Sequence, residues 1–313
     1  MELIRGLHNL RHHHRGCVLT IGNFDGVHLG HQEILQLLAE HAAQLGVPSC
    51  LMSFEPLPQE YFGGDHAPPR LTRLREKWCA LQNGQLDRLL CLRFSRQLAA
   101  MPAEAFVRDI LVDALGVRFL VVGDDFRFGY KRQGDFALLK LAGRKYGFEV
   151  VDSPTHRLRD ERISSTRIRQ ALAEGCLELA AHMLGRPYTM CGRVFHGDKR
   201  GRGIGFPTAN ILLHRKRSPV RGVYVVSVDG ITEQPLYGVA NVGTRPTFDG
   251  QRLQLEVHLF DFDQNLYGRY VCVRFHHKLR DERRFDSFDA LKAQIQKDSR
   301  DARQYITENM QDT

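Results

Sequence analysis

The chain has 313 residues and a formal net charge of +8, and its hydrophobic (42%) and charged (26%) fractions are those of an ordinary globular protein. This composition excludes a disordered or fibrous chain, and the length favours two domains over one. The excess of positive charge points to anionic partners, either nucleic acid or phosphorylated small molecules.

The sequence also bears on the cellular compartment. No apolar run approaches the ~18 residues that a membrane-spanning helix needs, and the first residues lack the pattern of a secretory signal. The seven cysteines are odd in number and include no Cys-x-x-Cys pair. We therefore expect a cytoplasmic protein without a membrane partner, whose thiols are reduced and form neither a disulfide framework nor a zinc site.

In the first half of the chain, short apolar runs alternate with amphipathic stretches. The runs predict strands at residues 17–21, 50–54, 88–94, 119–122 and 148–151. The amphipathic stretches predict helices at residues 31–45, 71–82, 102–115, 135–146, 166–174 and 177–184. Almost continuously apolar strands separated by helices are typical of a parallel sheet covered on both faces. The pattern predicts a doubly wound, Rossmann-like α/β domain that binds ligands beyond the carboxyl ends of its strands.

After Gly185 the apolar residues alternate with a period of two. Runs at residues 191–195, 223–228, 236–242, 255–260 and 271–275 are separated by turn residues, and a helical pattern follows from Ser287 to about Asn309. Short strands of this kind predict an antiparallel β-barrel or sandwich, closed here by a terminal helix. We place the domain boundary near Gly185, which gives domains of residues 1–184 and 185–313.

The first motif lies between the first predicted strand and the first predicted helix, from Gly22 to His31. Glycines let the backbone approach a ligand closely, and the N-terminus of a new helix offers unpaired N–H groups to phosphate. His28 and His31 project to one side of the first helical turn, where two imidazole donors could hold the α- and β-phosphates of a nucleotide. A metal-binding pair or a structural turn is the alternative for two histidines at this spacing, but the preceding strand, the glycines and the helix start favour phosphate binding.

The string from Gly22 to His31 resembles the HxGH signature of nucleotidylyltransferases. In its longer form, G-x-F-D-G-x-H-x-G-H, it resembles the bacterial bifunctional riboflavin kinase/FMN adenylyltransferase family, also called FAD synthetases. Segments at residues 53–56, 123–129 and 162–169 match this family in the same order, each after a predicted strand.

The resemblance implies roles for individual residues of the first domain. His28 and His31 would be catalytic, and Asp125 and Phe126 would lie at the flavin or nucleotide site. The residues that would bind the nucleotide and its phosphates are Gly22, Phe24, Asp25, Gly30, Arg162, Ser165 and Thr166. Many members of the family carry His at the position of Leu57 and Asn at that of Asp125. We therefore expect Leu57 to be dispensable, and the choice between flavin and ATP as the contact of Asp125 stays open.

A second dense motif runs from Gly201 to Asn210. Thr208 and Asn210 are two residues apart, so on a strand they share a face, and an oxygen of each could bind Mg²⁺ together with nucleotide phosphates. No Gly-Lys-Ser/Thr follows, so this is not a Walker A motif, and composition alone favours a surface turn. The string resembles the G-F-P-T-A-N signature of riboflavin kinases, which implies that Gly203, Gly205, Thr208 and Asn210 bind the nucleotide and its metal.

Glu256 lies on a predicted strand, on the face opposite the neighbouring Leu and Val residues. A lone strand carboxylate usually does no more than face solvent. By resemblance to the riboflavin kinases, Glu256 matches the carboxylate proposed as the general base. A riboflavin hydroxyl needs such a base, because it is neutral and a poor nucleophile. The FMN phosphate, whose second pKa is about 6, needs none.

Taken together, the motifs and their resemblance to this family imply a two-domain flavin-cofactor enzyme that uses ATP and Mg²⁺. The kinase barrel would convert riboflavin to FMN, and the first domain would convert FMN to FAD with release of pyrophosphate. The alternatives are a nucleotidylyltransferase with another nucleotide or acceptor, a nucleic-acid-binding protein, and a flavin-binding regulator on a degenerate scaffold. Dispersed basic residues and the lack of an aromatic-basic stacking motif argue against nucleic acid. Residues 12–14, three consecutive histidines, are interpreted as an incidental loop.

Overall fold

The structure, a computed structural model, describes residues 1–82, 84–153, 157–158, 161–195, 206–247 and 250–310. Within these ranges no helix is both long enough and apolar enough to span a membrane. By Cα proximity the chain divides into two compact units, one of residues 1–68 and 72–164 and the other of residues 69–71 and 165–313. The domain boundary near Gly185 stays a prediction.

The strands are β1 (Glu2–Arg5), β2 (Cys17–Ile21), β3 (Ser49–Glu55), β4 (Arg88–Arg93), β5 (Val117–Val122), β6 (Glu149–Asp152), β7 (Arg157–Leu158), β8 (Glu161–Arg162), β9 (Thr189–Phe195), β10 (Ala209–Leu212), β11 (Gly222–Asp229), β12 (Leu236–Thr247), β13 (Gly250–Leu259) and β14 (Tyr270–Arg280). The helices are α1 (Leu29–Leu45), α2 (Pro58–Gly63), α3 (Leu74–Gln82), α4 (Arg96–Ala99), α5 (Ala103–Ala105), α6 (Phe136–Tyr146), α7 (Ser165–Glu174), α8 (Leu177–Leu184) and α9 (Phe288–Asn309), and α5 continues as a π-helix over Phe106–Ala114.

Six strands of the first unit form one sheet in the order β1-β4-β3-β2-β5-β6, and every adjacent pair in it is parallel. The predicted doubly wound parallel sheet is therefore confirmed. Strand order reverses between β2 and β5, because β3 and β4 continue to one side of β2 while β5 and β6 continue to the other. In such sheets the loops after the two central strands enclose the ligand crevice.

Buried side chains cover both faces of this sheet. Residues alternate along β2, so that Leu19 belongs to one apolar cluster and Val18 to the other, and both are fully buried. One cluster includes the π-helical segment, and the other includes α1 and α3. The sequence pattern missed β1, which pairs with the edge of β4, because its four residues Glu-Leu-Ile-Arg are too short and too polar to read as a strand.

The second unit contains a closed six-stranded barrel in the order β10-β13-β12-β11-β14-β9, closed by pairing of β9 with β10. All of its strand pairs are antiparallel. Of the predicted barrel and sandwich, the barrel is the one formed. Because successive side chains of a strand point to opposite faces, Leu255 and Val257 fill the interior, and Glu256 between them faces outward.

Helix α9 covers part of the outer surface of the barrel. Its first turn is capped by the hydroxyl of Ser287, which accepts a hydrogen bond from the backbone N–H of Ala290 at 3.1 Å. Fully buried Ala302 packs against Val225 of β11 and Phe260. The terminal helix therefore buries a strip of the barrel's outer face that would otherwise expose apolar side chains.

The expectation that all cysteines are reduced is wrong for one pair. Cys191 on β9 and Cys272 on β14 lie directly opposite each other across an antiparallel ladder, with Cα atoms 4.1 Å apart, and form a disulfide. The pair could not be predicted from the sequence, because 81 residues separate the two cysteines and only the strand register of the barrel brings them together. The other five cysteines of the described residues form no disulfide: Cys17, Cys50, Cys79, Cys91 and Cys176.

An ion pair with a buried acidic partner joins α9 to β14. Asp298 is only 4% exposed. Arg280 donates to it from Nε, 3.0 Å from Oδ1 and 3.1 Å from Oδ2, and from NH2, 2.7 Å from Oδ2. The side-chain amide of Gln294 donates to Oδ1 at 2.6 Å. Removing one member of such a pair leaves a desolvated charge, whereas an exposed pair contributes little.

We therefore predict that Arg280→Met lowers the free energy of unfolding of the second unit by about 3 kcal/mol. Arg303→Met is the matched control. Arg303 lies on α9, as Asp298 does, but its ion-pair partner is Asp261, whose side chain is 78% exposed. Hydrogen exchange of the β14 and α9 amides measures both variants. Equal loss of protection in the two variants would contradict the prediction.

A second prediction concerns pH. Burial, with a smaller contribution from the positive charge of Arg274, lowers the pKa of His276 to about 4, and its Nε2 lies 2.8 Å from the Ser227 hydroxyl. The unfolded chain, with an ordinary His pKa of about 6.5, binds more protons than the folded one between those values. Stability should therefore fall as pH drops from about 6.5 to about 4. His276→Gln should reduce this slope in a comparison of denaturant unfolding at several pH values, and an unchanged slope would refute it.

Candidate functional site

The loops after β2 and β5 leave the same edge of the sheet. Thr20 of β2 pairs with Val121 of β5 in parallel register, so residues 22–28 and 123–128 emerge side by side where the strand order reverses. The first loop carries the histidine motif, and the second carries Asp125 and Phe126. The topology therefore brings the two groups of predicted site residues to one crevice.

The histidine loop makes a tight, partly left-handed turn before α1 begins. Phe24 (φ 45°), Gly26 (φ 92°) and Val27 (φ 45°) all have positive φ angles, which is rare for the two residues that carry side chains. Phe24 and Val27 are nevertheless buried at 3% and 1% exposure, so packing holds the strained conformation. The turn leads directly into His28, the residue before the first residue of α1.

His28 caps α1 and stacks on His31. Its Nδ1 accepts a hydrogen bond from the backbone N–H of His31 at 3.3 Å, so the neutral ring carries its proton on Nε2. The rings of His28 and His31 are 3.6 Å apart and 16° from parallel, and Phe24 stacks on His31 at 4.4 Å. His28 is 6% exposed. The turn thus fixes both imidazoles at the start of α1.

Asp25 braces this turn from within the protein. It is 1% exposed, and its Oδ1 accepts hydrogen bonds from the backbone N–H of Thr72 at 2.8 Å and from the Thr72 hydroxyl at 3.2 Å. The backbone N–H of Gly26 donates to the same hydroxyl at 2.9 Å. These bonds position the loop, and the predicted contact of Asp25 with the nucleotide stays a prediction.

The predicted glycines lie on either side of the turn. Gly22 directly follows β2, where an added Cβ would come within 3.0 Å of the Phe24 ring. Gly30 is buried in the first turn of α1. A side chain at Gly22 would therefore displace the ring that stacks on His31.

Asp125 and Arg162 form an ion pair. The distance from Arg162 NH1 to Asp125 Oδ2 is 3.5 Å, and both side chains are more than half exposed. Phe126 is half-buried and stacks on Phe128 at 5.7 Å. The structure thus joins two predicted site residues that lie 37 positions apart in the sequence, and their charges remain open to a ligand.

Ser165 and Thr166 form the first turn of α7. The N-terminus of a helix favours anions because its first N–H groups lack intrahelical partners. Thr166 is exposed and Ser165 is half-buried. The predicted contact of these two residues with the nucleotide phosphates stays a prediction.

Sequence reasoning missed an aromatic patch after β3. Phe62 on α2 is 71% exposed and Tyr61 is 40% exposed, and both rings lie within 5.6 Å of the Phe94 ring at the end of β4. Exposed, clustered aromatic rings beyond the carboxyl ends of strands suit a flat aromatic ligand. Leu57, which the sequence predicts to be dispensable, is 1% exposed just before α2, so it contributes to the core.

On the barrel, three polar side chains form a row across neighbouring strands. Asn210 of β10 lies opposite Glu256 of β13, which in turn lies opposite Asn241 of β12. Directly opposite residues share a face, with Cβ atoms about 5 Å apart. Glu256 is half-buried and Asn210 is 6% exposed. The row puts a carboxylate between two amides on the outer face of the barrel.

The G-F-P-T-A-N motif leads into β10. Thr208 immediately precedes the strand, and Asn210 Oδ1 accepts a hydrogen bond from the Gln254 amide of β13. Thr208 also lines a cleft together with Asn265 and Tyr267. Gly203 and Gly205, predicted to bind the nucleotide, lie outside the described residues.

His258, two residues after Glu256 on β13, contacts the start of the G-F-P-T-A-N motif. The carbonyl oxygen of Pro207 accepts a hydrogen bond from His258 Nδ1 at 3.0 Å, and the Phe206 ring contacts the His258 ring edge-on at 5.1 Å. His258 therefore holds the start of the motif against β13.

The consecutive histidines at residues 12–14 approach an acidic side chain. Ligand atoms of Glu2, His13 and His14 lie within 4.8 Å of one another. However, His14 Nδ1 accepts the backbone N–H of Arg11 at 2.8 Å, which leaves the proton on Nε2 to donate to Glu2 at 3.0 Å. A metal would need that Nε2 lone pair, so the cluster is a hydrogen-bonded structural element.

Two family models match the chain. The model of FAD synthetases matches residues 10–167, and that of riboflavin kinases matches residues 184–306. The first match contains the histidine loop, Asp125 and Arg162, and the second contains the barrel row.

Curated proteins resemble this chain over almost its whole length. The bifunctional riboflavin kinase/FMN adenylyltransferase of Escherichia coli K12 is 55% identical over 307 residues, with 98% of each chain covered. Enzymes of the same description from Haemophilus influenzae (52% identical, 98% of this chain and 99% of the relative) and Pseudomonas fluorescens (53% identical, 97% of each) are similar.

A solved structure shares the fold. It is a Streptococcus pneumoniae protein described as a macrolide-efflux protein, with a TM-score of 0.81, 33% identity and 99% coverage of both chains. That description is not carried to this chain, because both family models and the more similar curated proteins agree on flavin chemistry.

Proposed function

The chain belongs to the bifunctional riboflavin kinase/FMN adenylyltransferase family, and we propose that the histidine loop performs its adenylyl transfer and the Glu256 row its phosphoryl transfer. The protein is an enzyme of flavin cofactor synthesis that phosphorylates riboflavin to FMN and adenylylates FMN to FAD. ATP is the second substrate. In our proposal residues 1–184 form the adenylyltransferase domain and residues 185–313 the kinase domain.

Adenylyl transfer needs charge stabilisation more than proton transfer. An oxygen of the FMN phosphate forms a new bond to the α-phosphorus of ATP, the bond from that phosphorus to the β-phosphate oxygen breaks, and pyrophosphate leaves. The nucleophile is already an anion near pH 7, because its second pKa is about 6. The observation that carries this assignment is the stacked His28–His31 pair at the start of α1, in the crevice where strand order reverses.

In this proposal each group of the first site meets a different part of the substrates. His28 donates its Nε2 proton in a hydrogen bond to the phosphate chain, and His31 lies beside it. Gly22, Phe24, Asp25 and Gly30 shape the loop. The groups proposed to bind phosphate from α7 and the strand before it are Arg162, Ser165 and Thr166.

The flavin ring needs a flat apolar surface near the same edge. We assign it to the neighbourhood of Phe126 and the exposed aromatic patch of Tyr61 and Phe62. Asp125, paired with Arg162 in the structure, lies at the flavin or nucleotide site. Its carboxylate keeps the guanidinium oriented until a phosphate replaces it as the partner.

Phosphoryl transfer on the barrel needs a base. Glu256 accepts the proton of the riboflavin hydroxyl. The hydroxyl oxygen forms a bond to the γ-phosphorus of ATP as the bond from that phosphorus to the ADP oxygen breaks. The row Asn210–Glu256–Asn241 places amide groups on both sides of this carboxylate. Gly203 and Gly205 are proposed to bind the nucleotide from the preceding loop.

Thr208 and Asn210 are the proposed Mg²⁺ ligands. Their hydroxyl and amide oxygens, together with phosphate oxygens, are the hard ligands that this ion prefers, and Asn210 Oδ1 retains a second lone pair beyond its bond from Gln254. When bound, Mg²⁺ neutralises charge on the transferred phosphate. We propose no nucleic-acid or membrane partner for either reaction.

We predict that His28→Ala lowers kcat for FAD formation from FMN by about 10²–10³-fold, because a donor to the developing phosphate charge is lost. FMN formation from riboflavin should stay within twofold of the parent enzyme, since it uses the other site. Chromatographic separation of riboflavin, FMN and FAD measures both in one reaction. His12→Ala, an exposed histidine outside the loop, is the control, and equal loss of both activities in His28→Ala would refute the assignment.

We predict the converse for Glu256→Gln. FMN formation should fall by about 10²–10⁴-fold because the proton acceptor is lost, whereas FAD formation from added FMN should be unchanged. The exposed Glu233→Gln serves as the matched control. Retention of kinase activity in Glu256→Gln would show that the base lies elsewhere.

A further inference from the structure

A buried lysine lies beneath the histidine loop. Lys77 of α3 is 2% exposed and lies on the helix face that also carries Leu74 and Leu81, which belong to an apolar cluster. Burying an ammonium group costs free energy unless hydrogen bonds replace its water, and a methionine would pack there at lower cost. The presence of a lysine at this buried position therefore has to be explained by the contacts of its ammonium group.

The ammonium group of Lys77 contacts the backbone of Asn23, at the start of the histidine loop, and the side chain of Ser53. Lys77 Nζ donates to the carbonyl oxygen of Asn23 at 2.5 Å and to the hydroxyl of Ser53 at 2.9 Å. The Ser53 hydroxyl in turn donates to the same Asn23 carbonyl at 3.3 Å. Charge-assisted hydrogen bonds of this kind are short and stronger than those between neutral groups.

These contacts connect the ends of two adjacent strands. Asn23 lies between β2 and Phe24, and Ser53 lies on β3, which pairs in parallel with β2 up to Ile21 and Met52. Lys77 thus ties the loop's first residues to the neighbouring strand at the carboxyl edge of the sheet.

The segment before α3 holds the loop at a second point. Thr72 bonds to Asp25 and to the Gly26 backbone, as described above. One short segment of chain, residues 72–77, therefore fixes the loop on both sides of Phe24, whose φ of 45° is unfavourable. Since Phe24 stacks on His31, the same segment determines where the imidazoles lie.

We propose that Lys77 is a positioning residue for adenylyl transfer, which holds the Asn23 carbonyl so that His28 and His31 face the reacting phosphates. This inference rests on the proposed function of the histidine loop. A displacement of about 1 Å at a reacting group costs up to about 10²-fold in rate. The role is distinct from catalysis, because Lys77 acts through the loop and not on the substrates.

The test is the Lys77→Met enzyme, studied as the full chain. We expect kcat for FAD formation from FMN to fall by about 10–100-fold, with the KM values for ATP and FMN within about threefold of the parent. FMN formation from riboflavin should be unchanged in the same preparation. If Lys77 only stabilised the fold, Lys77→Met would instead raise both KM values, or its loss of kcat would disappear when the assay is run well below the temperature of the unfolding midpoint. Either result would overturn the proposal.

Two further variants complete the design. Lys145→Met removes an exposed lysine from α6 of the same unit and should leave FAD formation unchanged, so an equal loss there would show a general charge effect and contradict the proposal. Ser53→Ala keeps the lysine but removes its hydroxyl partner, and we expect a smaller loss in kcat, about 3–10-fold. If Lys77→Met does not fold, Ser53→Ala decides, and unchanged kcat in that variant rejects the proposal.

His28→Ala separates this inference from the proposed function. If His28→Ala retains FAD formation, the histidine loop is not the site and the proposed function fails. If His28→Ala loses FAD formation while Lys77→Met and Ser53→Ala retain it, the site stands and only the role of Lys77 fails.

Discussion

The parallel pairing of β2 with β5 is the constraint on which the first site depends. Because β3 continues the sheet on one side of β2 and β5 on the other, helices after β2 and β5 cover opposite faces and leave a crevice at the carboxyl edge. The loop after β2 then has to turn sharply into α1, which puts a helix N-terminus and two imidazoles at that crevice. The buried bonds of Asp25 and Lys77 hold this turn in its strained conformation.

Closure of the barrel imposes the corresponding constraint on the second site. Once β9 pairs with β10, buried apolar side chains such as Leu255 and Val257 fill the interior, and the residues between them point outward. Helix α9 covers one part of that outer face through Ala302. Asn210, Glu256 and Asn241 occupy another part, where their register fixes their spacing without a loop. The two sites therefore differ in origin, since one depends on a braced turn and the other on strand register.

Much of this architecture follows from local sequence patterns. Strand β2 begins and ends at the predicted residues, and α8 does too, because apolar runs and helical periodicity report on burial directly. The pattern failed at β1, a short polar edge strand, and could not foresee the bond between Cys191 and Cys272. These features are stabilised by partners distant in the chain, for which local hydrophobicity carries no signal.

For the sites, the residue types and their order indicated a phosphate-binding loop around His28, because such a loop needs glycines and a helix start. Flavin chemistry was indicated by the resemblance of the motifs to a known family. The sequence alone did not show that Asp25 is buried against Thr72, that Asp125 pairs with Arg162, or that Lys77 lies under the loop. Those facts depend on which strands are neighbours and on which side chains lose their water. Such pairings join residues tens of positions apart, and only the folded chain decides them.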